Sequence, residues 1–249
     1  MKILKFKKKT NGKYSIFLND GREFVYYEDI ILKYDLLLKK EIAEENLLEI
    51  HNANLEYDVY YVALNSIKSR YKSKYELKQW LLKKEYPEEM IDKAIKKLVE
   101  QKYLDDRNYA KSYIYTQMTT SSHGPLRIKK ELLDKKVPEE FIDEEMEIYD
   151  IDLQTEKIKK LIDRGIKSNH TRGGLVLKQK IINDLKTQGY EYELISKIIS
   201  SYTFSSDKDL AKKEYDKLYR KYSRKYEGYE LKNIIREKMF QKGLVYEEE

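Results

Sequence analysis

The sequence predicts a mainly α-helical chain: an elongated array of tandem three-helix repeats behind a small N-terminal β-hairpin or meander domain. Three observations predict it. A ten-residue pattern recurs four times, as LKQWLLKKEY (Leu77–Tyr86), IKKELLDKKV (Ile128–Val137), IINDLKTQGY (Ile181–Tyr190) and IREKMFQKGL (Ile235–Leu244). Its first, fifth and tenth positions are apolar each time, and successive copies start 51, 53 and 54 residues apart. Such a period marks one helical unit used repeatedly, a design that offers an extended binding surface in place of an enclosed active site. Only three Pro and nine Gly occur in 249 residues, so long helices run uninterrupted. Finally, Asn11-Gly12 and Asp20-Gly21 sit between short apolar runs, the pattern of tight hairpins, because these residues accept positive φ.

In chain order, Ile3–Lys9, Tyr14–Leu18 and Glu23–Tyr26 read as strands and Glu28–Tyr34 as a short helix, giving a β-rich extension over residues 1–50. From about residue 57 the reading is all helix. The first repeat, 57–103, has a Tyr60, Ala63, Leu64, Ile67 stripe at helical spacing. Ser73-Lys74-Tyr75-Glu76 is a capping-box pattern opening its second helix. Pro87 with Glu88 and Glu89 fits the start of its third helix, where Pro is tolerated and acids meet the positive helix end. Ile91, Ala94, Ile95 and Leu98 give that helix its buried face.

The second repeat, 104–150, opens at Leu104-Asp105-Asp106 and carries Tyr109, Ala110, Tyr113 and Ile114 inward. A turn at Ser121–Pro125 precedes its second helix, and Val137-Pro138-Glu139-Glu140 copies Tyr86-Pro87-Glu88-Glu89. The third, 151–203, is marked by Ile158, Leu161 and Ile162, a turn at Gly173-Gly174, and Leu194, Ile195, Ile198 and Ile199. The fourth, 205–249, has a cap at Ser205-Ser206-Asp207 and a stripe of Ala211, Tyr215, Leu218 and Tyr222. It is too short for a third helix, as suits the terminal unit of an array.

Composition bounds function. Charged residues make up 38% and hydrophobic residues 41%, with a mean hydropathy of −0.80, which suits thin helical layers. Cys is absent, which excludes disulfides, thiol catalysis and cysteine metal sites. No run is apolar enough for a signal peptide or a membrane span, so a cytoplasmic location is expected. The net charge of +6 comes from residues 151–249, which hold 22 Lys and Arg against 16 Asp and Glu. Such a basic end suits nucleic acid or an acidic protein groove; a Lys-, Tyr- and Ile-rich proteome would produce the same excess.

No catalytic constellation is present, and an enzyme is not expected. His51, His123 and His170 lack metal-ligand spacing, although His123 and His170 hold similar places in two repeats. Asp105-Asp106 reads either as an acid pair or as a helix N-cap, and the cap fits the Tyr109 stripe directly. Gly173-Gly174 lacks the phosphate-loop pattern and reads as a turn. The single Trp80 reads as a core or rim residue, with a binding anchor as the alternative. The run Lys212–Tyr226 offers Lys212, Lys213, Lys217, Arg220, Lys221, Arg224 and Lys225 among tyrosines. It reads equally as a nucleic-acid surface, with charges on phosphates and exposed Tyr for stacking, or as an amphipathic helix with a solvated lysine face. Arg70, Lys72 and Lys74, and Arg127, Lys129 and Lys130, flank the second helices and are candidate partner contacts.

Tyr61-Val62-Ala63-Leu64, Arg70, Ser73–Leu77, Tyr103–Asp106, Tyr109-Ala110, Gly124, Ile128 and Glu131-Leu132 occur in an order that resembles the bacterial RecX family. The hairpins with Asn19-Asp20-Gly21 resemble the β extension of its longer Gram-positive members. The family often has Gly next to the end of the second helix; here Glu85 and Lys136 stand there, while Gly189 and Gly243 keep it. The resemblance implies a regulator without a cofactor, expected to be monomeric. It implies that the chain binds the RecA recombinase and its nucleoprotein filament, inhibits ATP hydrolysis and strand exchange in recombination and repair, and in some members contacts DNA. Four stacked units, with helices of about 15 residues near 22 Å long by their rise, suit a filament groove.

Overall fold

The computed structural model describes residues 1–204 and 208–245. The cap expected at Ser205-Ser206-Asp207 and the chain's last four residues lie outside them. Among the described residues, three strands precede thirteen helices. The chain forms two compact units. One holds Met1–Tyr109 with Lys135–Pro138; the other holds Ala110–Asp134 and the chain from Glu139 onward.

β1 (Ile3–Lys8), β2 (Lys13–Leu18) and β3 (Glu23–Tyr27) form an antiparallel meander in the order β1-β2-β3. Asn11 and Gly12, at φ 59° and 68°, turn the first hairpin, and Gly21, at 86°, the second. The register places Phe6, Ile16 and Phe24 side by side across the sheet. α1 (Glu28–Lys33) and α2 (Leu36–Lys39) close one face of the meander. Ile16, Leu18, Tyr26, Ile30, Ile31, Leu36 and Ile42 are buried there.

α3 (Glu44–Ser69) is a single helix of 26 residues, about 39 Å long at 1.5 Å per residue. The break between extension and first repeat expected at residues 51–56 is therefore absent. The physical reason is that the helix serves two cores. Ile50, Ala53, Tyr57 and Tyr61 pack on the β core, and Val59, Ala63 and Ile67 on the first helical core. The second stripe is also offset from the expected one: Val59 is fully buried, while Tyr60 and Leu64 are half-buried. Tyr60 instead donates to Gln101 at 2.6 Å, its ring covered by the Lys97 ammonium.

α4 (Lys74–Leu82) and α5 (Glu88–Glu100) complete the first three-helix group around Leu77, Leu81, Ile91, Ala94 and Leu98. α6 (Asp106–Thr120), α7 (Pro125–Asp134) and α8 (Glu139–Met146) follow. Then come α9 (Ile151–Lys167), α10 (Gly174–Gln188) and α11 (Tyr192–Ile199), and finally α12 (Lys208–Tyr222) and α13 (Gly228–Gln241).

The recurring pattern has a backbone cause. Its ninth residue has positive φ in all four copies: Glu85 at 64°, Lys136 at 56°, Gly189 at 90° and Gly243 at 67°. The tenth residue's N–H returns to the fifth residue's carbonyl in three: Tyr86 to Leu81 (3.5 Å), Tyr190 to Leu185 (3.2 Å) and Leu244 to Met239 (3.0 Å). This is a Schellman stop, which brings the fifth and tenth side chains into apolar contact and leaves the ninth in the left-handed region. The apolar fifth and tenth positions are thus one helix-terminating device. Glu85 and Lys136 keep the conformation that Gly189 and Gly243 adopt without a Cβ penalty.

The last three stops are also docking points for the preceding repeat. The eighth residue's carbonyl accepts Ser73 Oγ–H at Lys135 (3.0 Å), Gly124 N–H at Gln188 (2.7 Å) and Gly173 N–H at Lys242 (2.7 Å). The donors stand just before α4, α7 and α10. At the latter two the backbones are so close that a side chain is excluded: a Cβ on Gly124 would lie 2.5 Å from the Gly189 oxygen, and one on Gly173 would overlap that of Gly243. Gly173-Gly174 is therefore a packed turn.

Candidate partner-binding and nucleic-acid surfaces

The start of α4 is built by three capping interactions. Ser73 Oγ accepts the Glu76 N–H at 3.1 Å, and Glu76 accepts the Ser73 N–H at 3.2 Å, completing the capping box. Asp106 is buried and accepts the Lys74 N–H at 2.8 Å. Burial pushes its carboxyl above the ordinary carboxylate value, against the pull of Lys74. The paired acids thus divide their work. Asp105 caps its own helix, accepting from Arg107 and Asn108 (2.8 and 3.2 Å), and Asp106 caps α4. Glu76 also binds the Lys135 ammonium. Burial alone would raise the Glu76 carboxyl, but Lys135, Tyr109 and the Ser73 N–H outweigh it and hold it low.

Of the candidate cations here, Arg70 is exposed, and Lys72 and Lys74 are half-buried. Lys72 Nζ donates to the Ser66 carbonyl at 3.1 Å and lies 5.6 Å from the Trp80 ring centre. Burial first, then the neighbouring Arg70 charge, lowers its pKa. Trp80 packs its inner side on the first helical core and keeps its outer edge in solvent, with the Lys84 ammonium 4.9 Å from the ring.

On α7 the three candidates differ. Arg127 pairs with Glu131 at 3.1 Å. Lys129 is held between Glu139 (2.8 Å) and Asp143 (2.6 Å) of α8, so its charge is taken up inside its own repeat. The first repeat has the same clamp, Lys78 with Glu88 (2.8 Å) and Asp92 (2.7 Å). Both clamps have one spacing, Lys then Glu ten and Asp fourteen residues on, a signal legible in the sequence. Lys130 is exposed.

On α12, Lys212, Lys213, Lys217, Arg220 and Lys221 are all exposed, as are Arg224 and Lys225 beyond its end. Ala211, Glu214 and Leu218 of the same helix are buried, Ala211 and Leu218 in a core shared with Leu231, Ile235 and Met239 of α13. The tyrosines divide unevenly. Tyr215, Tyr222 and Tyr226 pack on the core, while Tyr219 is exposed at 47% and alone faces outward from α12. Glu214 is buried on this helix and carries the Lys242 ammonium, a tie that the Ala211–Leu218 stripe does not announce.

The remaining polar candidates have structural surroundings. His51 Nδ1 is 3.1 Å from Tyr26 Oη, inside the β core. His123 Nδ1 lies 3.3 Å from Glu131, and His170 is exposed. Tyr149 donates to the His123 carbonyl and meets Tyr190 Oη, both at 3.1 Å, in a buried pair. Among the described residues no group of three or more His, Asp or Glu is placed to hold a metal ion. Nor is any helix there long and apolar enough to cross a membrane.

Residues 60–98 match the model of the first three-helix domain of RecX, and residues 105–146 that of the second. The regulatory protein RecX of Listeria innocua is 29% identical, over 99% of this chain and 94% of its own. That of Oceanobacillus iheyensis is 28% identical, over 96% and 92%. A crystal structure of a regulatory protein RecX superposes with a TM-score of 0.67 at 26% identity, covering 80% of this chain and 99% of the other. RecX from Lactobacillus salivarius gives 0.55 at 29%, covering 59% and 96%.

Proposed function

Because the chain belongs to the RecX family of regulatory proteins, we propose that it binds the RecA recombinase and its nucleoprotein filament and lowers their ATPase and strand-exchange activity. The likeness to RecX regulators along nearly the whole chain carries this reading. The repeats support it, since in three copies the same stop carbonyl accepts a bond from the preceding repeat, and repeated helical units offer extended binding faces. On this reading the protein acts as a cytoplasmic monomer without a cofactor. Its working parts are the β-rich extension 1–50 and the repeats 57–103, 104–150, 151–203 and 205–249. Arg70, Lys72, Lys74, Arg127 and Lys130 face the partner; Lys129, clamped by α8, contributes little charge of its own. The test is ATP hydrolysis by the recombinase on single-stranded DNA with substoichiometric protein added. Hydrolysis falls if the proposal holds and is unchanged if it fails.

A second reading rests on α12, whose five cations are all exposed while Ala211 and Leu218 hold it to its core. There the chain contacts DNA through phosphates, with Tyr219 as the one tyrosine on the helix available for stacking. It predicts affinity that falls steeply with salt and is lost when Lys212, Lys213, Arg220, Lys221, Arg224 and Lys225 become Glu, with recombinase binding retained.

A further inference from the structure

The outer face of α4 carries a basic groove with aromatic walls that neither reading uses as a unit. It is lined by Arg70, Lys72, Tyr75, Gln79, Trp80 and Lys83, with the inward-turned Glu76 at its floor. The Lys72 and Lys84 ammonium groups lie 5.6 and 4.9 Å from the Trp80 ring centre. Tyr75 is 39% and Tyr71 69% exposed beside it. The one carboxylate of the lining, Glu76, is already bound to Lys135 and the Ser73 N–H. Among the described residues no carboxylate pairs with Arg70, Lys83 or Lys84. The groove therefore gathers positive charge around half-exposed rings, against the mutual repulsion of Arg70 and Lys72.

The fold does not require this. The equivalent position on α7 is Glu131, bound to Arg127 and Tyr113, and on α10 it is Asp184, paired with Lys180. A tryptophan at the fourth position of the pattern belongs to the first repeat alone.

We infer that the Arg70–Trp80–Lys83 groove is a binding site for single-stranded nucleic acid, with phosphates on Arg70, Lys72 and Lys83 and an unstacked base on Trp80. Cations beside an aromatic face are the combination that holds a strand without reading its sequence. A duplex keeps its bases stacked and offers none to the ring. An acidic polypeptide would use the charges and leave the rings idle. The site is distinct from α12 and does not depend on recombinase binding, which is read by a different assay.

Trp80 is the only tryptophan of the chain, so its fluorescence reports on the groove directly. Full-length protein is titrated with oligothymidylate, oligouridylate, a duplex of equal length and oligoglutamate. Saturable quenching by the single strands, with much weaker response to the duplex and oligoglutamate, is the expected result. A preference for oligothymidylate or oligouridylate identifies the natural strand as DNA or RNA. Trp80→Ala, followed by anisotropy of a labelled oligothymidylate, weakens binding roughly five- to hundred-fold, and Trp80→Phe restores most of it. Arg70→Glu with Lys83→Glu changes only exposed side chains; it weakens the binding and lowers the salt slope by about one per lost phosphate contact. Charge reversal on α12 leaves the quenching in place. Absence of quenching, unchanged affinity in the double variant, or equal response to oligoglutamate overturns the assignment.

Discussion

Tyr86, at the end of the first Schellman stop, donates a 2.6 Å hydrogen bond to Asp58 Oδ2 in the middle of α3. The other carboxylate oxygen accepts Tyr27 Oη at 2.6 Å and Lys13 Nζ at 2.8 Å, both from the sheet. One carboxylate thus ties the β extension, the long helix and α4 together. Burial alone would raise its pKa, but Lys13, Tyr27 and Tyr86 outweigh burial and hold it below 3.8. Burial and the same carboxylate push both tyrosine hydroxyls up.

Asp58→Asn should lower stability by about 1.5–3 kcal/mol, the usual range for hydrogen bonds to a charged group, measured by urea unfolding at neutral pH. Because the folded pKa lies below the unfolded one, this contribution is present above 3.8 and is lost as pH falls through the folded value. The gap between variant and parent should therefore close in acid. A gap that persists there would show that the carboxylate's charge is not the cause.

Gly173→Ala and Gly124→Ala should each destabilise the chain by about 1–3 kcal/mol, the range for forced overpacking. Their new Cβ atoms meet the Gly243 and Gly189 carbonyls. Hydrogen exchange should rise first at the Gly173 and Gly124 amides and in the facing stops. An unchanged exchange pattern would mean that the docked turns carry no stability.

Glu85→Gly and Lys136→Gly act in the opposite direction. Both side chains are exposed and both residues have positive φ. Relief of about 1–2 kcal/mol of left-handed strain exceeds the roughly 0.5–1 kcal/mol of extra unfolded-state freedom that Gly brings. Each variant should unfold at slightly higher urea. Gly189→Ala, by contrast, should lose stability, since its Cβ meets Arg127 as well.

Charge reversal at Lys212, Lys213, Arg220, Lys221, Arg224 and Lys225 should leave folding intact, because all six are exposed and none belongs to the α12–α13 core. Circular dichroism checks the fold, and fluorescence anisotropy at several salt concentrations checks DNA binding. Retained salt-dependent affinity would rule out the α12 reading.

Much of the fold was legible because it is written locally. The hairpin turns at Asn11-Gly12 and Gly21, the capping box at Ser73 and the fifth and tenth apolar positions are devices contained in a few residues. The unity of α3 was hidden, since a helix shared by two cores shows two offset stripes that read as a boundary. The docking of Gly124 and Gly173 was hidden for another reason: backbone contact between residues 65 to 70 positions apart leaves only a glycine as its trace. In the candidate surfaces, the exposure of the α12 cations followed from periodicity. The capture of Lys129 by Glu139 and Asp143 and the pairing of Asp106 with Lys74 needed tertiary geometry.

Co-sedimentation with recombinase filaments assembled on single-stranded DNA, with a slowly hydrolysed ATP analogue, is the decisive measurement of filament binding. The protein should pellet saturably with the filament, and the α12 charge-reversed variant should still do so. Protein that stays in the supernatant at every filament concentration would contradict that binding.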